Sequence, residues 1–165
     1  MVPESVNLSD LSEQLLVDGV ALERESDALH RDLVAARDYA ASRGVGELGI
    51  AVLEAPPARL ADMRDIAQEL ARDTGIATMV VKVPGTAAVV STKYSRADLE
   101  KAQQSLVVQP DYGVGVRGFA DSLANPLPVG LLSVLLLVVV AAAVGASLMQ
   151  LQRSEERRVG KECRS

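Results

Sequence analysis

The chain has 165 residues, a net charge of −5 and one cysteine, which gives enough length for one compact domain and excludes a disulfide framework. Within residues 1–125, nineteen acidic side chains outnumber twelve basic ones, so the domain lacks the positive stripe of a nucleic-acid-binding protein. Only four aromatic residues are present, too few for a base-stacking platform or an aromatic-lined sugar cleft.

The first elements in chain order are two helices separated by a short strand. Ser9 is expected to cap a helix that ends at Gly19, and residues 20–22 then suit a short strand. Ser26 is expected to cap a longer helix that continues to about Ser42, because its apolar residues recur every three or four positions.

A strand, a helix and a second strand follow with short connections. Residues 47–53 and 76–83 are apolar runs that suit buried strands, and residues 58–73 between them have the clearest amphipathic pattern. This order predicts a βαβ unit with parallel strands and a right-handed crossover. The apolar residues of the helix, from Leu60 to Leu70, are expected to face inward. The charged ones, Asp62, Asp65, Glu69 and Arg72, are expected to face outward.

A hairpin and two more helices complete the domain. Pro84 and Gly85 occupy the positions that a type II turn requires, so residues 87–91 are expected to return antiparallel to the preceding strand. Ser95 is expected to cap the next helix, and residues 111–123 form a last short one. The predicted fold class is therefore α/β: a small sheet of three to four strands, built from one βαβ unit plus a hairpin, with flanking helices.

A C-terminal transmembrane helix is predicted over residues 127–150. No charged residue occurs between Ser122 and Gln152, and a helix of this length spans a hydrocarbon core about 30 Å thick. The thirteen Leu and Val residues contribute about −4 to −8 kcal/mol toward insertion. The polar domain, residues 1–125, is thus expected to be tied to the cell membrane by one C-terminal span.

The sequence gives weaker evidence for the side of the membrane on which the domain lies. The first ten residues have neither the basic segment nor the apolar run of a secretory signal, which favours a cytoplasmic domain over one exported by another route. Small residues four apart in the span, such as Ala141 and Gly145, allow two helices to approach closely, so a homodimer through the span is a candidate arrangement.

Residues 153–165 resemble the one-frame translation of a common sequencing-library adapter. They read R-S-E-E-R-R-V-G-K-E-C-R-S, and their charges follow no helical or strand period. We therefore expect a non-native tail and exclude it from the fold reasoning, together with Cys163. The alternative is a basic juxtamembrane segment that binds anionic lipid.

The strongest candidate for a ligand site lies where the fourth strand leads into a helix. Lys93, Ser95 and Arg96 are polar groups at a helix N-terminus, a position that attracts anions. The alternative is that these residues cap the helix and keep the loop soluble. If the domain binds an anionic ligand, this segment is where we expect it.

A weaker candidate is a cation site on the central helix. Asp62, Asp65 and Glu69 follow one another at helical spacing and offer oxygen ligands for a hard cation, although a solvated charged face explains the same pattern. His30 is the only histidine, so a transition-metal site is not expected. Two G-x-G-x-x-G segments lack the strand-to-helix context of a dinucleotide site, and no cofactor is predicted.

The element order resembles a group of short, uncharacterised actinobacterial membrane proteins typical of mycobacteria and corynebacteria. The likeness rests on residues 64–69 (R-D-I-A-Q-E), 91–100 (S-T-K-Y-S-R-A-D-L-E) and 118–121 (G-F-A-D), followed by one span. That group is distantly similar to the TPM domain, an α/β domain displayed at membranes. The resemblance implies a cell-envelope setting, and some TPM proteins are described as phosphatases or as helping to assemble membrane complexes.

Two functions follow from these observations. The first is a binding or scaffolding domain at the cell envelope, with the lipid bilayer and an envelope protein as partners. The alternative is a TPM-like metal-dependent phosphatase, which would require Asp62, Asp65 or Asp98 to converge with another acidic side chain. No catalytic signature is present, so the sequence favours a role without enzymatic activity.

Overall fold

The computed structural model describes residues 6–124 and Val138. The chain divides into two units, residues 1–126 and 127–165, and all elements described below belong to the first. In chain order they are α1 (Leu8–Asp18), β1 (Val20–Leu22), α2 (Asp27–Ser42), β2 (Leu48–Val52), α3 (Leu60–Thr74), β3 (Thr78–Val83), β4 (Thr86–Ser91), α4 (Arg96–Val108) and α5 (Tyr112–Ala124).

The four strands form one mixed sheet in the order β1-β2-β3-β4. β2 is parallel to both β1 and β3, with Ile50 opposite Val20 on one side and Val80 on the other. β4 is antiparallel to β3 and closes the predicted hairpin, in which Gly85 takes a φ of +79°. The α/β prediction with flanking helices is thus confirmed, and the sheet has four strands. The sequence had indicated one βαβ unit, whereas the structure has two.

Helices cover both faces of the sheet. α2, α4 and α5 pack on one face, where Phe119 is fully buried against Leu33 and Val80. α1 and α3 pack on the other face, where Leu15 and Ile66 belong to a second apolar core. Because each face is covered, every residue of β2 is buried, and the strand is uninterruptedly apolar rather than alternating.

The two crossovers have opposite hands. Both β1-α2-β2 and β2-α3-β3 step in the same direction along the sheet, yet α2 and α3 cover opposite faces. When two parallel connections move to the next strand in the same direction, the one whose helix covers one face has the opposite handedness to the one whose helix covers the other face. One of the two connections is therefore left-handed, against a strong general preference for right-handed ones.

Helix ends follow the predicted signals with one shift. Ser26 and Ser95 cap α2 and α4 as predicted, since each side-chain oxygen accepts a backbone N–H of the first turn. α1 begins earlier than predicted: Asn7, and not Ser9, is its N-cap, and its side chain accepts the N–H of Asp10. Gly19 ends α1 in the left-handed conformation.

The predicted faces of the central helix need two corrections. Asp62 was expected to face solvent, but only 6% of it is exposed, and its ion pair with Arg59 at 2.9 Å offsets the cost of burying the charge. Leu60 was expected to face inward, yet 64% of it is exposed, because it is the first residue of α3 and lies beyond the edge of the core.

The predicted membrane span, residues 127–150, lies outside the described residues, as does the 153–165 tail. Among the residues that are described, no helix combines the length and apolar character needed to cross a bilayer.

Candidate functional site

Lys93, the first of the predicted anion-site residues, contacts a distant loop. Its ammonium donates to the backbone carbonyls of Gly44 (3.1 Å) and Val45 (2.9 Å) in the α2–β2 connection. The hydroxyl of Tyr94 donates to the same Val45 carbonyl at 3.0 Å. In this arrangement Lys93 joins the loop before α4 to the loop before β2.

Ser95 and Arg96 are also engaged with neighbours. Ser95 accepts the backbone N–H of Asp98 at 3.2 Å and donates its hydroxyl proton to the Asp98 carboxylate at 2.6 Å. Arg96 pairs with Glu100 one turn along the helix at 2.7 Å. The structure therefore places all three predicted residues near the start of α4 and gives each a protein partner. An anion would have to compete with those partners.

The predicted cation site has a similar environment. Arg59 pairs with Asp62 at 2.9 Å, and Arg72 forms an ion pair with Glu69. Asp65 is partly buried on the same helix. Within residues 6–124 no three His, Cys, Asp or Glu side chains lie close enough together to hold a metal ion. Arginines thus supply the positive charge that a cation would have brought to two of the three carboxylates.

The topology creates a crevice that the sequence did not predict. The chain leaves β1 toward α2 on one face of the sheet and leaves β2 toward α3 on the other. In α/β sheets such a divergence opens a crevice at the carboxyl ends of the strands, where ligands commonly bind. Glu23 bridges it by accepting the backbone N–H of Glu54 at 2.7 Å, and Arg24 pairs with Glu54 at 3.3 Å.

A cavity of about 520 Å³ adjoins this crevice and has an acidic lining. Gln14 forms its floor, since its side-chain amide accepts the N–H of Leu22 at 2.9 Å and donates to the Leu22 carbonyl at 3.3 Å. His30, at its rim, lies 3.2 Å from Asp18. The titratable residues that line the cavity are Asp10, Glu23, Glu25, Asp27 and His30.

A buried lysine lies at the carboxyl end of β3. Lys82 is only 4% exposed, and its ammonium lies 4.9 Å from the centre of the Tyr112 ring. Burial lowers the pKa of this side chain, because the charged form loses hydration. The aromatic face offsets part of that cost through a cation–π contact. The sequence shows only one lysine within an apolar strand and gives no sign of its aromatic partner thirty residues later.

The free edge of β4 is the second feature that the sequence did not predict. Val83 pairs with Thr86 across the two-residue turn, and hydrogen-bonded pairs alternate with non-bonded pairs along an antiparallel ladder. Counting from the turn, Ala87, Val89 and Ser91 direct their backbone N–H and C=O groups away from β3. β4 is the last strand of the sheet within residues 6–124, so no further strand of this described part accepts these groups.

One side chain supplies a hydrogen bond that a neighbouring strand would otherwise make with β4. Gln103 of α4 donates its amide to the outward carbonyl of Ala87 at 2.6 Å, as the register requires. No hydrogen bond from residues 6–124 reaches the outward N–H or C=O of Val89. β4 also carries no charge, proline or bulge, the devices that commonly protect an edge strand.

The edge lies in a groove of about 480 Å³ between two helices. α3 provides one wall through Leu60, Arg64 and Gln68, which recur every four residues. α4 provides the other wall through Arg96, Glu100 and Gln103. Arg64 forms no ion pair with any described residue, so the groove carries a net positive charge within an acidic domain.

Comparison with known proteins agrees with this architecture. Residues 1–160 match a family model described as "Membrane protein Rv1476". The protein of that name from Mycobacterium tuberculosis (strain ATCC 25618 / H37Rv) is 30% identical over 154 residues, which cover 92% of this chain and 80% of the relative.

Two solution NMR structures share the fold. The N-terminal domain of cg2496 from Corynebacterium glutamicum aligns with a TM-score of 0.52 at 15% identity, over 76% of this chain and 86% of that one. An N-terminal domain from P. gingivalis aligns with a TM-score of 0.50 at 14% identity, over 76% and 90%. At this identity the likeness concerns the fold alone. The family model and the mycobacterial relative confirm the predicted actinobacterial membrane-protein group, and this chain belongs to the Rv1476 membrane protein family.

Proposed function

We propose that this chain is a membrane-anchored binding domain of the cell envelope that docks an extended segment of a partner protein along β4. The observation that carries the proposal is the open backbone edge at Val89, which lies in a groove between α3 and α4. An extended segment that adds a strand there would satisfy the outward N–H and C=O groups. The side chains along the groove would select its sequence.

The groove favours a particular chemistry in the partner. Arg64 has no ion pair among the described residues, whereas Arg96 already faces Glu100. Leu60 lies beside Arg64 with 64% of its surface exposed. We therefore expect an extended segment that places an acidic side chain next to Arg64 and an apolar one next to Leu60. Its binding should weaken as salt is raised.

Site-specific photo-crosslinking in native membranes tests this proposal. A photoreactive residue at Gln68 lies in the groove, and one at Gln104 provides a matched control on the exposed side of α4. Gln68 is expected to capture a discrete protein that Gln104 does not. Ala87→Pro should abolish the product, because it removes an outward donor and no hydrogen bond to β3. Equal products from both positions, or a product that persists in Ala87→Pro, would refute strand docking.

The membrane anchor is part of the same proposal. The family supports a membrane location, and residues 127–150 have the length and apolar character of a single span. We propose that the domain lies on the cytoplasmic side. Arg72→Cys at an exposed position, in a Cys163→Ser background and in intact cells, tests this assignment. Labelling by a membrane-impermeant thiol reagent before lysis would show an exported domain instead.

A TPM-like metal-dependent phosphatase is the second candidate, and the acidic cavity beside the crevice is the observation that favours it. Its carboxylates, among them Glu23 and Asp27, lie where α/β folds commonly bind ligands. No three of the described acidic or histidine side chains lie at metal-binding distance, so an ion would have to draw them together. The test is hydrolysis of p-nitrophenyl phosphate by the full chain with Mg²⁺, Mn²⁺ or Ca²⁺. Activity that is lost in Asp27→Asn would support this function over simple binding.

A further inference from the structure

Two exposed apolar side chains lie together at the end of α1. Leu16 is 65% exposed and Val17 is 83% exposed, although neighbouring Leu15 is in the core. α1 leads into β1 through Gly19 alone, so its last turn lies where β1 begins. We call this side of the sheet, where the parallel strands begin, the amino-terminal edge. It also carries the α2–β2, α3–β3 and β4–α4 loops, residues 43–47, 75–77 and 92–95.

The chain leaves the described domain at the same edge. Near the end of α5, the Asp121 carboxylate accepts hydrogen bonds from Tyr39 (2.8 Å) and Arg43 (3.0 Å). Those residues belong to the end of α2, which leads into β2, so α5 also ends at the amino-terminal edge. Its last residue, Ala124, is followed in sequence by the predicted span from residue 127.

The loops at the two edges of the sheet also differ in charge, and the difference favours the amino-terminal edge for contact with a membrane. The loops of the amino-terminal edge contain two basic residues, Arg43 and Lys93, and one acidic residue, Glu47. The loops of the opposite edge contain four acidic residues and two basic ones, namely Glu23, Glu25, Glu54 and Asp111 with Arg24 and Arg59. An anionic lipid surface repels the acidic edge and tolerates the other.

We propose that the amino-terminal edge rests on a phospholipid surface, with Leu16 and Val17 at the boundary between headgroups and acyl chains. This inference rests on the proposed membrane anchor. Apolar side chains on a helix end bind at that boundary without crossing the bilayer. Leu16 and Val17 therefore require no protein partner to cover them. The strands of the domain would then stand upright on the lipid surface.

Site-directed fluorescence of the full chain in vesicles tests the orientation. In a Cys163→Ser background, a polarity-sensitive nitrobenzoxadiazole probe is attached at Val17→Cys or at Val108→Cys. Val108 is 66% exposed at the end of α4, which lies at the opposite edge, and is therefore a matched control. In vesicles of phosphatidylcholine with a quarter phosphatidylglycerol, the probe at residue 17 should emit at shorter wavelength. Nitroxide lipids should quench it about threefold more strongly than the probe at residue 108.

Each outcome decides the proposal. Stronger lipid quenching at residue 17 supports it. Equal quenching at both positions, in a chain that resists carbonate extraction, overturns the orientation and leaves the anchor intact. A blue shift at residue 17 without lipid quenching places protein over the pair and also overturns it. A chain that carbonate releases from the vesicles overturns the anchor and this inference together.

Discussion

The role of Lys93 can be decided by removing its ammonium. Lys93→Met keeps most of the aliphatic stem and deletes the donor to the Gly44 and Val45 carbonyls, which lie 3.1 and 2.9 Å away. If the ammonium joins the two loops, the variant should lose stability. If it serves an anion, the variant should keep its stability and lose the ligand. The two roles therefore predict different measurements.

The structure sets the size of the expected loss. Hydrogen bonds to charged groups contribute about 1.5–3 kcal/mol net when buried. Lys93 is exposed, and the Val45 carbonyl keeps its bond from Tyr94, so neither acceptor is left buried without a donor. We therefore expect a loss of about 1–2 kcal/mol for both bonds together. In a domain of this size that corresponds to a decrease in Tm of about 4–8 °C.

Thermal unfolding of the full chain in detergent, followed by far-UV circular dichroism, measures this loss. Lys101→Met is the matched control, because Lys101 is an exposed lysine on α4 and its substitution removes the same charge. Unfolding is repeated with inorganic phosphate, which should raise the Tm of both variants and the unmodified chain equally or not at all. The structural role is refuted if Lys93→Met matches Lys101→Met in Tm and phosphate stabilises only the unmodified chain and Lys101→Met, which both retain Lys93.

Three further predictions concern the core and its titrating groups. Phe119→Ala should lower the free energy of unfolding by about 3–5 kcal/mol, measured by denaturant titration, because the fully buried ring leaves a cavity. The hydrogen bond to Asp121 raises the pKa of Tyr39, so its stabilisation is complete below pH 10 and is lost as pH rises through the raised pKa. The stability difference between the unmodified chain and Tyr39→Phe, measured by denaturant titration, should therefore shrink above pH 10. Burial lowers the pKa of Lys82 in the folded chain. Between that lowered pKa and 10.5 the unfolded chain therefore binds more protons than the folded chain, so the free energy of unfolding should rise with pH across this window. Lys82→Met should remove the rise, and an unchanged pH profile in the variant would contradict this reasoning.

Local signals predicted most of the elements. Ser26 and Ser95 marked helix starts because an N-cap acts within three residues, and the Pro84–Gly85 turn fixed the hairpin for the same reason. The pairing of β1 with β2 could not be predicted in this way. Three apolar residues from Val20 to Leu22 have no local feature that selects a partner about thirty residues later.

The surroundings of the candidate sites depend on contacts between residues that are distant in sequence. A cluster of polar groups around Lys93 indicated an anion site, but the carbonyls that Lys93 contacts are 48 and 49 residues away in sequence. Helical spacing placed Asp62 on an outward face, but the residue is buried and its carboxylate pairs with Arg59. The crevice at β1 and β2 depends on which face each helix covers, and helical periodicity alone does not determine that.

The two proposals together constrain where a partner can come from. Strands run between the two edges of the sheet, so a domain that rests on its amino-terminal edge holds β4 along the membrane normal. The free side of β4 then faces parallel to the membrane plane, and its six residues extend for about 20 Å above the surface. A segment that emerges from the same bilayer has the direction and height to pair with it. Crosslinks from Gln68 should therefore fall within the first juxtamembrane residues of another membrane protein. A crosslink to a soluble protein would keep strand docking and argue against the upright orientation.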